Sequence, residues 1–185
     1  MSARAAVFLD RDGTLIDDPG FLADPARVRP LPGAVHAIAR LTRAGLLPII
    51  VTNQSGIGRG LISEDQYHAV RERVETVLSG DGGRIAASLH CPHAPTLTGQ
   101  CGCRKPGTDL YLEAARRFDL DLTRCWWVGD RLTDVEPART LRGHAILIVG
   151  PGNALLAAAE ASGFETVPDI RAATDAILEH QAEHD

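Results

Sequence analysis

The chain has 185 residues and a mass of 19.8 kDa, which is the size of one domain. Hydrophobic residues make up 44% and charged residues 23%, which excludes a wholly disordered chain. The net charge of −5 argues against a general nucleic-acid-binding surface. No stretch reaches the roughly 18 apolar residues of a membrane span, and an apolar run begins too early for a signal peptide. We therefore predict one cytoplasmic domain over 1–185 that binds neither nucleic acid nor membranes.

Short apolar runs alternate with helical patterns along the chain. We predict strands at 5–9, 46–52, 85–91, 125–128 and 145–149. We predict helices at 34–44, 64–78, 109–118, 134–141, 154–162 and 170–180. This alternation is typical of βαβ units, so we expect an α/β fold: a doubly wound, mostly parallel sheet with helices on both faces. The two longest irregular stretches, 10–33 and 91–108, are expected to be functional loops.

Polar residues follow or end four of the predicted strands. Asp10 follows the first strand, Thr52 and Asn53 end the second, Cys91 ends the third, and Asp130 follows the fourth. In a parallel sheet the carboxyl ends of the strands bind ligands. The sequence therefore predicts one functional site at that edge of the sheet.

Residues 8–15 read Phe-Leu-Asp-Arg-Asp-Gly-Thr-Leu and contain two carboxylates two residues apart. In an extended segment this spacing directs Asp10 and Asp12 to the same side. Gly13 then lets the backbone turn and bring its amide close to a ligand. Two adjacent carboxylates attract a divalent cation, and their repulsion raises one pKa so that one group can carry a proton. The alternative, a solvated Asp-rich turn, is disfavoured by the apolar residues that precede the pair.

The motif at 8–15 resembles the first motif of the haloacid dehalogenase superfamily of phosphohydrolases. Thr52 lies in what looks like the second motif, and Lys105 stands where the third-motif lysine would be. Asp130 and Asp134 look like the fourth motif. The resemblance extends to about residue 149 and implies an enzyme that hydrolyses phosphate monoesters.

The resemblance implies catalytic roles for four residues. Asp10 is expected to attack the phosphoryl group and form an aspartyl-phosphate. Asp12 is expected to protonate the leaving oxygen and then to activate water. Thr52 and Lys105 are expected to donate hydrogen bonds to the phosphoryl oxygens.

The same resemblance implies a magnesium site. Mg²⁺ is expected to bind Asp10, Asp130 and the backbone carbonyl of Asp12, where it bridges nucleophile and phosphoryl group. Asp134 is expected to support this site without contacting the metal. Its alternative role is a charge partner for the start of a helix.

The stretch 91–108 contains four residues with metal-binding side chains, Cys91, His93, Cys101 and Cys103. Three thiolates and one imidazole form a common tetrahedral structural zinc site, so we predict a zinc loop. The alternatives are unligated thiols or an adventitious metal site, because the Cys-x-Cys spacing departs from that of generic zinc fingers. Cys125 opens a predicted buried strand and is interpreted as a core residue.

The zinc-loop pattern Cys-x-His-x-Pro with Cys-x-Cys-Arg-Lys-Pro resembles a narrow branch of the superfamily, the heptose bisphosphate phosphatases and histidinol-phosphate phosphatases. It implies that there is no large cap domain, that Mg²⁺ and Zn²⁺ are bound, and that the substrate is a small phosphorylated sugar. We expect a monomer that removes the 7-phosphate of D-glycero-D-manno-heptose 1,7-bisphosphate, with histidinol phosphate as the alternative substrate. Ser55 favours the heptose enzymes, whereas the short zinc loop favours the histidinol-phosphate enzymes.

Substrate contacts are expected from residues of several loops. Arginines suit a distal phosphate or vicinal hydroxyls because a guanidinium can hold either group bidentately. Arg131 departs from the lysine that many heptose enzymes carry after the fourth-motif aspartate. The expected contacts are Asp18, Pro19, Gly20, Phe21, Thr52, Asn53, Gln54, Ser55, Arg59, Arg104, Lys105 and Arg131.

Two further functions remain as alternatives. A polynucleotide 3′-phosphatase would use the same aspartate motif, but the acidic chain lacks a basic, aromatic-lined groove. A zinc-loop binding module with a vestigial catalytic site is a candidate from a different class. The presence of all the motif residues argues against that degeneracy.

Overall fold

The computed structural model describes residues 4–150 and 156–184. Its strands are β1 Ala6–Leu9, β2 Leu47–Asn53, β3 Ala87–Cys91, β4 Trp126–Gly129, β5 His144–Ile148 and β6 Glu165–Val167. They form one sheet in the order β3-β2-β1-β4-β5-β6, and every neighbouring pair is parallel. The chain leaves β1 toward β2 on one side and returns to β4 on the other. This topological switch point places a ligand-binding crevice at the carboxyl end of β1.

Nine helices accompany the described part of the sheet. They are α1 Ala34–Arg43, α2 Ser55–Gly58, α3 Glu64–Leu78, α4 Pro95–Thr98, α5 Asp109–Phe118, α6 Leu132–Val135, α7 Pro137–Leu141, α8 Leu156–Ser162 and α9 Ile170–His184. Short 3₁₀ turns lie at Pro25–Arg27, Gly80–Gly82 and Leu122–Arg124. In the described ranges no large cap domain interrupts this arrangement, as predicted, and no helix is long and apolar enough to cross a membrane.

The central strand β1 is buried on both of its faces. Side chains alternate along a strand, so Val7 and Leu9 pack in one core with α1, α3 and α9. Ala6 and Phe8 pack in a second core with α5 and α7. The predicted α/β fold with helices on both faces is therefore confirmed, and Cys125 is buried in the second core.

The structure differs from the sequence-based expectation in several elements, among them the short helices α2 and α4, which were not predicted. The strand β6 has only three residues and is largely exposed, so it has no apolar run to reveal it. The single helix predicted at 134–141 is two helices, divided before Pro137, whose nitrogen cannot donate a helical hydrogen bond. The predicted start of the helix at 154 lies outside the described residues, and α9 continues four residues beyond its predicted end at 180.

Candidate active site

A cavity of about 880 Å³ opens at the carboxyl edge of the sheet, between the loops that follow β1, β2 and β4 and the 91–108 loop. Its lining includes nearly all the residues predicted to hold the phosphate ester or Mg²⁺. The exceptions are Pro19 and Arg59, which are exposed and do not line it. The structure thus brings together motif residues that are up to 124 positions apart in sequence, from Asp10 to Asp134.

Lys105 is buried against two carboxylates. Its Nζ lies 2.5 Å from Oδ1 of Asp10 and 2.7 Å from Oδ1 of Asp134, and it donates a 2.7 Å hydrogen bond to the backbone carbonyl of Val51. Burial acts to lower the pKa of Lys105, but the charges of Asp10 and Asp134 outweigh burial and hold that pKa above its usual value. The ammonium group is therefore a permanent positive charge beside Asp10.

The side chain of Asn53 fixes the backbone of Lys105. The backbone N–H of Lys105 donates to Oδ1 of Asn53 at 3.0 Å, and Nδ2 of Asn53 donates to the carbonyl of Lys105 at 3.3 Å. Asn53 was predicted to contact substrate. In the structure it lines the cavity, but its amide group is used to hold the lysine segment at the end of β2.

The carboxylate of Asp12 is held from two sides. Nη2 of Arg11 lies 2.9 Å from Oδ2 of Asp12, and Nε2 of Gln54 donates to the same oxygen at 2.8 Å. Gln54 also donates to Oγ1 of Thr52 at 2.8 Å, which leaves the hydroxyl hydrogen of Thr52 available for a phosphoryl oxygen. Burial raises the pKa of Asp12 and the charge of Asp10 adds to this, although Arg11 opposes it. A raised pKa favours the protonated form that a general acid needs.

Three carboxylates meet at the bottom of the cavity. Oxygens of Asp10, Asp130 and Asp134 lie within 4.8 Å of one another. Burial, followed by the charge of Asp10, raises the pKa of Asp130 to about 7 and that of Asp134 to about 6. A divalent cation would remove this repulsion, so the donor set fits Mg²⁺.

The individual oxygens distinguish Asp130 from Asp134. In the described part of the chain, Oδ1 of Asp130 is buried without a hydrogen-bond partner. Both oxygens of Asp134 are used by the protein, since Oδ1 pairs with Lys105 and Oδ2 accepts the backbone N–H of Arg131 at 2.9 Å. Oδ1 of Asp130 is thus available to a metal ion, whereas the oxygens of Asp134 are not, and the assignment of Asp130 as ligand and Asp134 as its support stays a prediction.

The four residues predicted to bind zinc form a cluster. Sγ of Cys103 lies 3.1 Å from Sγ of Cys91, 3.4 Å from Sγ of Cys101 and 3.2 Å from Nδ1 of His93. Zinc–sulfur bonds of about 2.3 Å separate the sulfurs of a tetrahedral site by about 3.8 Å, so small outward movements would accommodate zinc. Burial and the neighbouring thiols raise the pKa of Cys103 to about 12, and a bound cation would favour its thiolate form.

The mouth of the cavity is bounded by the predicted substrate loops. Nη2 of Arg131 lies 3.3 Å from Oδ2 of Asp18, which joins the loop after β1 to the loop after β4. Oδ1 of Asp18 accepts the backbone N–H of Gly20 and so shapes this turn. Phe21 is exposed at the rim, and Arg104 lines the cavity with a buried Nη1 that has no hydrogen-bond partner in the described chain.

Sequence reasoning missed four residues of the site. Gly56, Leu132 and Thr133 line the cavity, and Arg11 pairs with Asp12. Gly56 lies against Phe21, because a Cβ there would be 2.7 Å from the ring. Arg11 could have been found from its position between the two aspartates of the first motif. Buried residues lie on both sides of it in the sequence, at 6–10 and at 14–16.

Comparisons with known proteins agree with this geometry. The HAD-hydrolase-like family model matches residues 102–173. The D-glycero-β-D-manno-heptose-1,7-bisphosphate 7-phosphatase of Bordetella bronchiseptica is 36% identical over 94% of this chain and 97% of its own. The enzyme of the same name from Pseudomonas aeruginosa is 31% identical over 96% of this chain and 99% of its own.

A solved structure resembles the whole chain. It is the D,D-heptose 1,7-bisphosphate phosphatase of Bordetella bronchiseptica complexed with magnesium and phosphate, at 34% identity and a TM-score of 0.84. The match covers 96% of this chain and 99% of that chain. The chain therefore belongs to the haloacid dehalogenase-like hydrolases, and within them to the family of the heptose-1,7-bisphosphate 7-phosphatases. The resemblance inferred from the motifs is confirmed.

Proposed function

We propose that this protein is a Mg²⁺-dependent phosphatase that removes the 7-phosphate of D-glycero-D-manno-heptose 1,7-bisphosphate. The observation that carries the proposal is the contact between Asp10 and Lys105, 2.5 Å apart in a cavity that also contains the Asp130 and Asp134 carboxylates. Two relatives named heptose-1,7-bisphosphate 7-phosphatases match this chain over nearly their whole length. Their name supports heptose 1,7-bisphosphate as the substrate.

The proposed reaction has two steps. An oxygen of Asp10 attacks phosphorus while the bond to the sugar oxygen breaks, and Asp12 gives its proton to that leaving oxygen. Asp12, now a carboxylate, takes a proton from water, which attacks the aspartyl-phosphate and releases inorganic phosphate. Thr52 donates a hydrogen bond to a phosphoryl oxygen in both steps. Lys105 does the same by turning one N–H away from Asp10, Asp134 or Val51, which together use all three of its N–H groups before substrate binds. The ammonium group of Lys105 lies 2.5 Å from Oδ1 of Asp10 and places a positive charge beside the attacking group.

The residues that would hold Mg²⁺ are Asp10, Asp130 and the backbone carbonyl of Asp12. Bound Mg²⁺ would offset the negative charge shared by the nucleophile and the phosphate dianion. The unpartnered oxygen of Asp130 supports this assignment, because it supplies a ligand that the protein itself does not use.

The zinc site is proposed to be structural. Cys91, His93, Cys101 and Cys103 would close a tetrahedron, which leaves no open position for substrate. Cys103 precedes Arg104 and Lys105 directly, so zinc would fix the segment that carries both cations. The contribution of zinc to catalysis is therefore indirect.

Substrate choice is proposed to depend on the cavity mouth. Arg104 lines the cavity with a buried, unpartnered Nη1 and suits the distal phosphate or hydroxyls of the sugar. Arg131 and the loop residues Asp18, Gly20 and Phe21 would complete this outer region. Arg59 and Pro19 remain predicted contacts that would need movement of their loops, because neither lines the cavity.

A substrate panel tests the proposal. We expect kcat/KM for heptose 1,7-bisphosphate to exceed that for histidinol phosphate by at least about tenfold, or roughly 1.4 kcal/mol, because arginines repel the amine of histidinol phosphate. Arg104→Ala should narrow this ratio and leave a small generic ester largely unaffected, whereas Arg73→Ala on the exposed side of α3 should change nothing. Faster hydrolysis of histidinol phosphate would instead assign the alternative substrate.

Four properties that were inferred from the sequence stay predictions. They are the single domain over 1–185, the monomeric state, the absence of a nucleic-acid partner and the cytoplasmic location. Activity on a 3′-phosphorylated oligonucleotide would revive the polynucleotide phosphatase alternative. A protein that releases no phosphate from any ester in the presence of Mg²⁺ would favour the binding module.

A further inference from the structure

Arg11 is a buried arginine that the proposed chemistry does not use. Its side chain is almost fully enclosed, with 2% of the residue exposed. Its guanidinium lies over the ring of Tyr67 from α3, at 5.8 Å from the ring centre. Burying a guanidinium is unfavourable unless a negative charge compensates it. In the part of the chain that the structure describes, the carboxylate paired with Arg11 is that of Asp12.

The contact between Arg11 and Asp12 has a definite geometry. Nε of Arg11 lies 3.1 Å from each oxygen of Asp12, and Nη2 lies 2.9 Å from Oδ2. The chain bends at Arg11 after the end of β1, and residues 13–15 form a turn that is closed by two amides donating to the carbonyl of Arg11. Gln54 holds Oδ2 from the other side at 2.8 Å. The two partners together give the carboxyl group one orientation.

This orientation treats the two oxygens of Asp12 differently. Nε of Arg11 donates to both oxygens at 3.1 Å, and Oδ2 also accepts Nε2 of Gln54 at 2.8 Å. Nη2 of Arg11 lies 2.9 Å from Oδ2 as an ion pair but makes no hydrogen bond in the described chain. Oδ1 therefore accepts one hydrogen bond and Oδ2 accepts two, so Oδ1 keeps more capacity to carry a proton, and Asp12 lines the cavity. A carboxyl group that could rotate would present this oxygen to the leaving group only part of the time.

We propose that Arg11 is a positioning residue that orients the carboxyl group of Asp12 for proton transfer to the leaving oxygen and from the attacking water. The inference rests on the acid–base role of Asp12 in the proposed function. Arg11 does not touch the substrate in this account. It acts through Asp12, with Gln54 as the opposite support and Tyr67 as the surface beneath its guanidinium.

The dependence of rate on the leaving group separates this role from a merely structural one. A sugar alkoxide leaves slowly unless it is protonated, whereas 4-nitrophenolate leaves without a proton. Loss of orientation should therefore reduce kcat/KM for the sugar phosphate much more than for 4-nitrophenyl phosphate, since kcat/KM reports the step in which the leaving group departs. A loosened fold would reduce both values together.

The experiment compares these two esters in Arg11→Met and Arg11→Lys. In Arg11→Met we expect kcat/KM for heptose 1,7-bisphosphate to fall about 100-fold and that for 4-nitrophenyl phosphate to fall less than about threefold, in line with the usual contribution of a general acid. Arg11→Lys keeps the charge but lacks the Nε that contacts both oxygens of Asp12. Its kcat/KM for heptose 1,7-bisphosphate should therefore lie between those of wild type and Arg11→Met, with little change for 4-nitrophenyl phosphate. Arg11→Met should also show a burst of 4-nitrophenol, because water activation by Asp12 becomes slower than phosphoryl transfer.

Two reference variants make the result decisive. Arg40→Met breaks an ion pair with Asp175 between α1 and α9, outside the cavity lining, and should leave both esters unchanged. Asp12→Asn should show the same selectivity as Arg11→Met in a stronger form.

If Asp12→Asn lacks this selectivity, the proposed acid–base chemistry fails. If Asp12→Asn shows it and the Arg11 variants lose both activities equally, the inference about Arg11 alone is overturned. Should Arg11→Met fail to fold, the same comparison on Arg11→Lys decides.

Discussion

Gly13 and Asp130 approach so closely that a Cβ on Gly13 would lie 2.6 Å from Oδ2 of Asp130. Gly13 also has a φ of +85°, in the left-handed region that disfavours other residues. The glycine of the first motif and the aspartate of the fourth motif are thus fitted to one another across the β1–β4 pair. The sequence predicted that Gly13 lets the backbone turn and approach a ligand. The structure shows that Gly13 also leaves space for the Asp130 carboxylate, which would hold the metal.

Substitution of Gly13 tests this fit. We expect Gly13→Ala to displace Asp130, to raise the Mg²⁺ concentration needed for half-maximal activity at least about tenfold, and to lower kcat. Gly45→Ala is the matched control, because Gly45 has a φ of +78° but open space at the Cβ position. Both variants should lose about 1 kcal/mol of folding free energy through backbone strain. An unchanged Mg²⁺ titration in Gly13→Ala would show that the contact is unimportant.

The carboxylate cluster predicts a pH-dependent stability. In the folded protein burial and the charge of Asp10 raise the pKa of Asp130 to about 7 and that of Asp134 to about 6, from an ordinary value of 3.8. Between a pH near 3.8 and a pH of about 7, the folded state binds more protons than the unfolded state. The free energy of unfolding therefore falls as the pH rises through this range. In EDTA we expect the free energy of unfolding to fall by on the order of 1–3 kcal/mol from pH 5 to pH 8. This loss lowers the Tm by about 2–10 °C.

Mg²⁺ should oppose this loss because it binds the ionised carboxylates. The difference in Tm between Mg²⁺ and EDTA should therefore grow from pH 5 to pH 8, as measured by calorimetry. Asp130→Asn removes one of the two shifted groups and should flatten the pH dependence in EDTA. A Tm difference that shrinks as the pH rises would contradict the account.

Zinc content is the next expected outcome. Purified protein should contain about one zinc per chain by metal analysis, and Cys103→Ser should lose it, with lower Tm and lower kcat that added Mg²⁺ does not restore. Cys125→Ala is the matched control, because this thiol is buried in the core beside Ala6 and away from the cluster. Zinc-free wild-type protein, or full activity in Cys103→Ser, would exclude a structural zinc.

The Asn53–Lys105 contact predicts a selective loss of activity. Asn53→Ala leaves the backbone N–H and carbonyl of Lys105 without these partners, which should cost about 1–3 kcal/mol of stability. We expect kcat to fall at least about tenfold because Lys105 is displaced from Asp10. Thr42→Val is the control: Oγ1 of Thr42 accepts the backbone N–H of Arg84 at 3.0 Å, away from the active-site cavity. This control should lose stability but keep kcat, and equal activities in the two variants would count against the positioning of Lys105 by Asn53.

The location of the site could be predicted from the sequence because it depends on patterns of neighbouring residues. Asp10, Thr52 and Asp130 each follow an apolar run, and a parallel sheet brings such ends to one edge. What Lys105 contacts in the protein was not predictable in this way. Its ammonium pairs with Asp10 and Asp134 and its backbone is held by Asn53, contacts over 95, 29 and 52 residues that no local pattern encodes.

Two other features escaped prediction for the same physical reason. Arg11 is next to Asp12 in sequence, but its burial under α3 depends on the placement of Tyr67. The strand β6 forms through backbone pairing with β5, and its exposed side chains give no apolar alternation. Both depend on tertiary context, which overrides local propensity.

The most direct test of the account is covalent trapping of phosphate during turnover. Asp12→Asn should still accept phosphate from 4-nitrophenyl phosphate, which needs no protonation of its leaving group, but should hydrolyse the phosphoenzyme slowly. Acid quenching and peptide mapping by mass spectrometry should then find close to one phosphate per active chain on Asp10, and none when Asp10→Asn is combined with it. Phosphate on another residue, or turnover of the ester without any covalent phosphate in Asp12→Asn, would contradict Asp10 as the nucleophile.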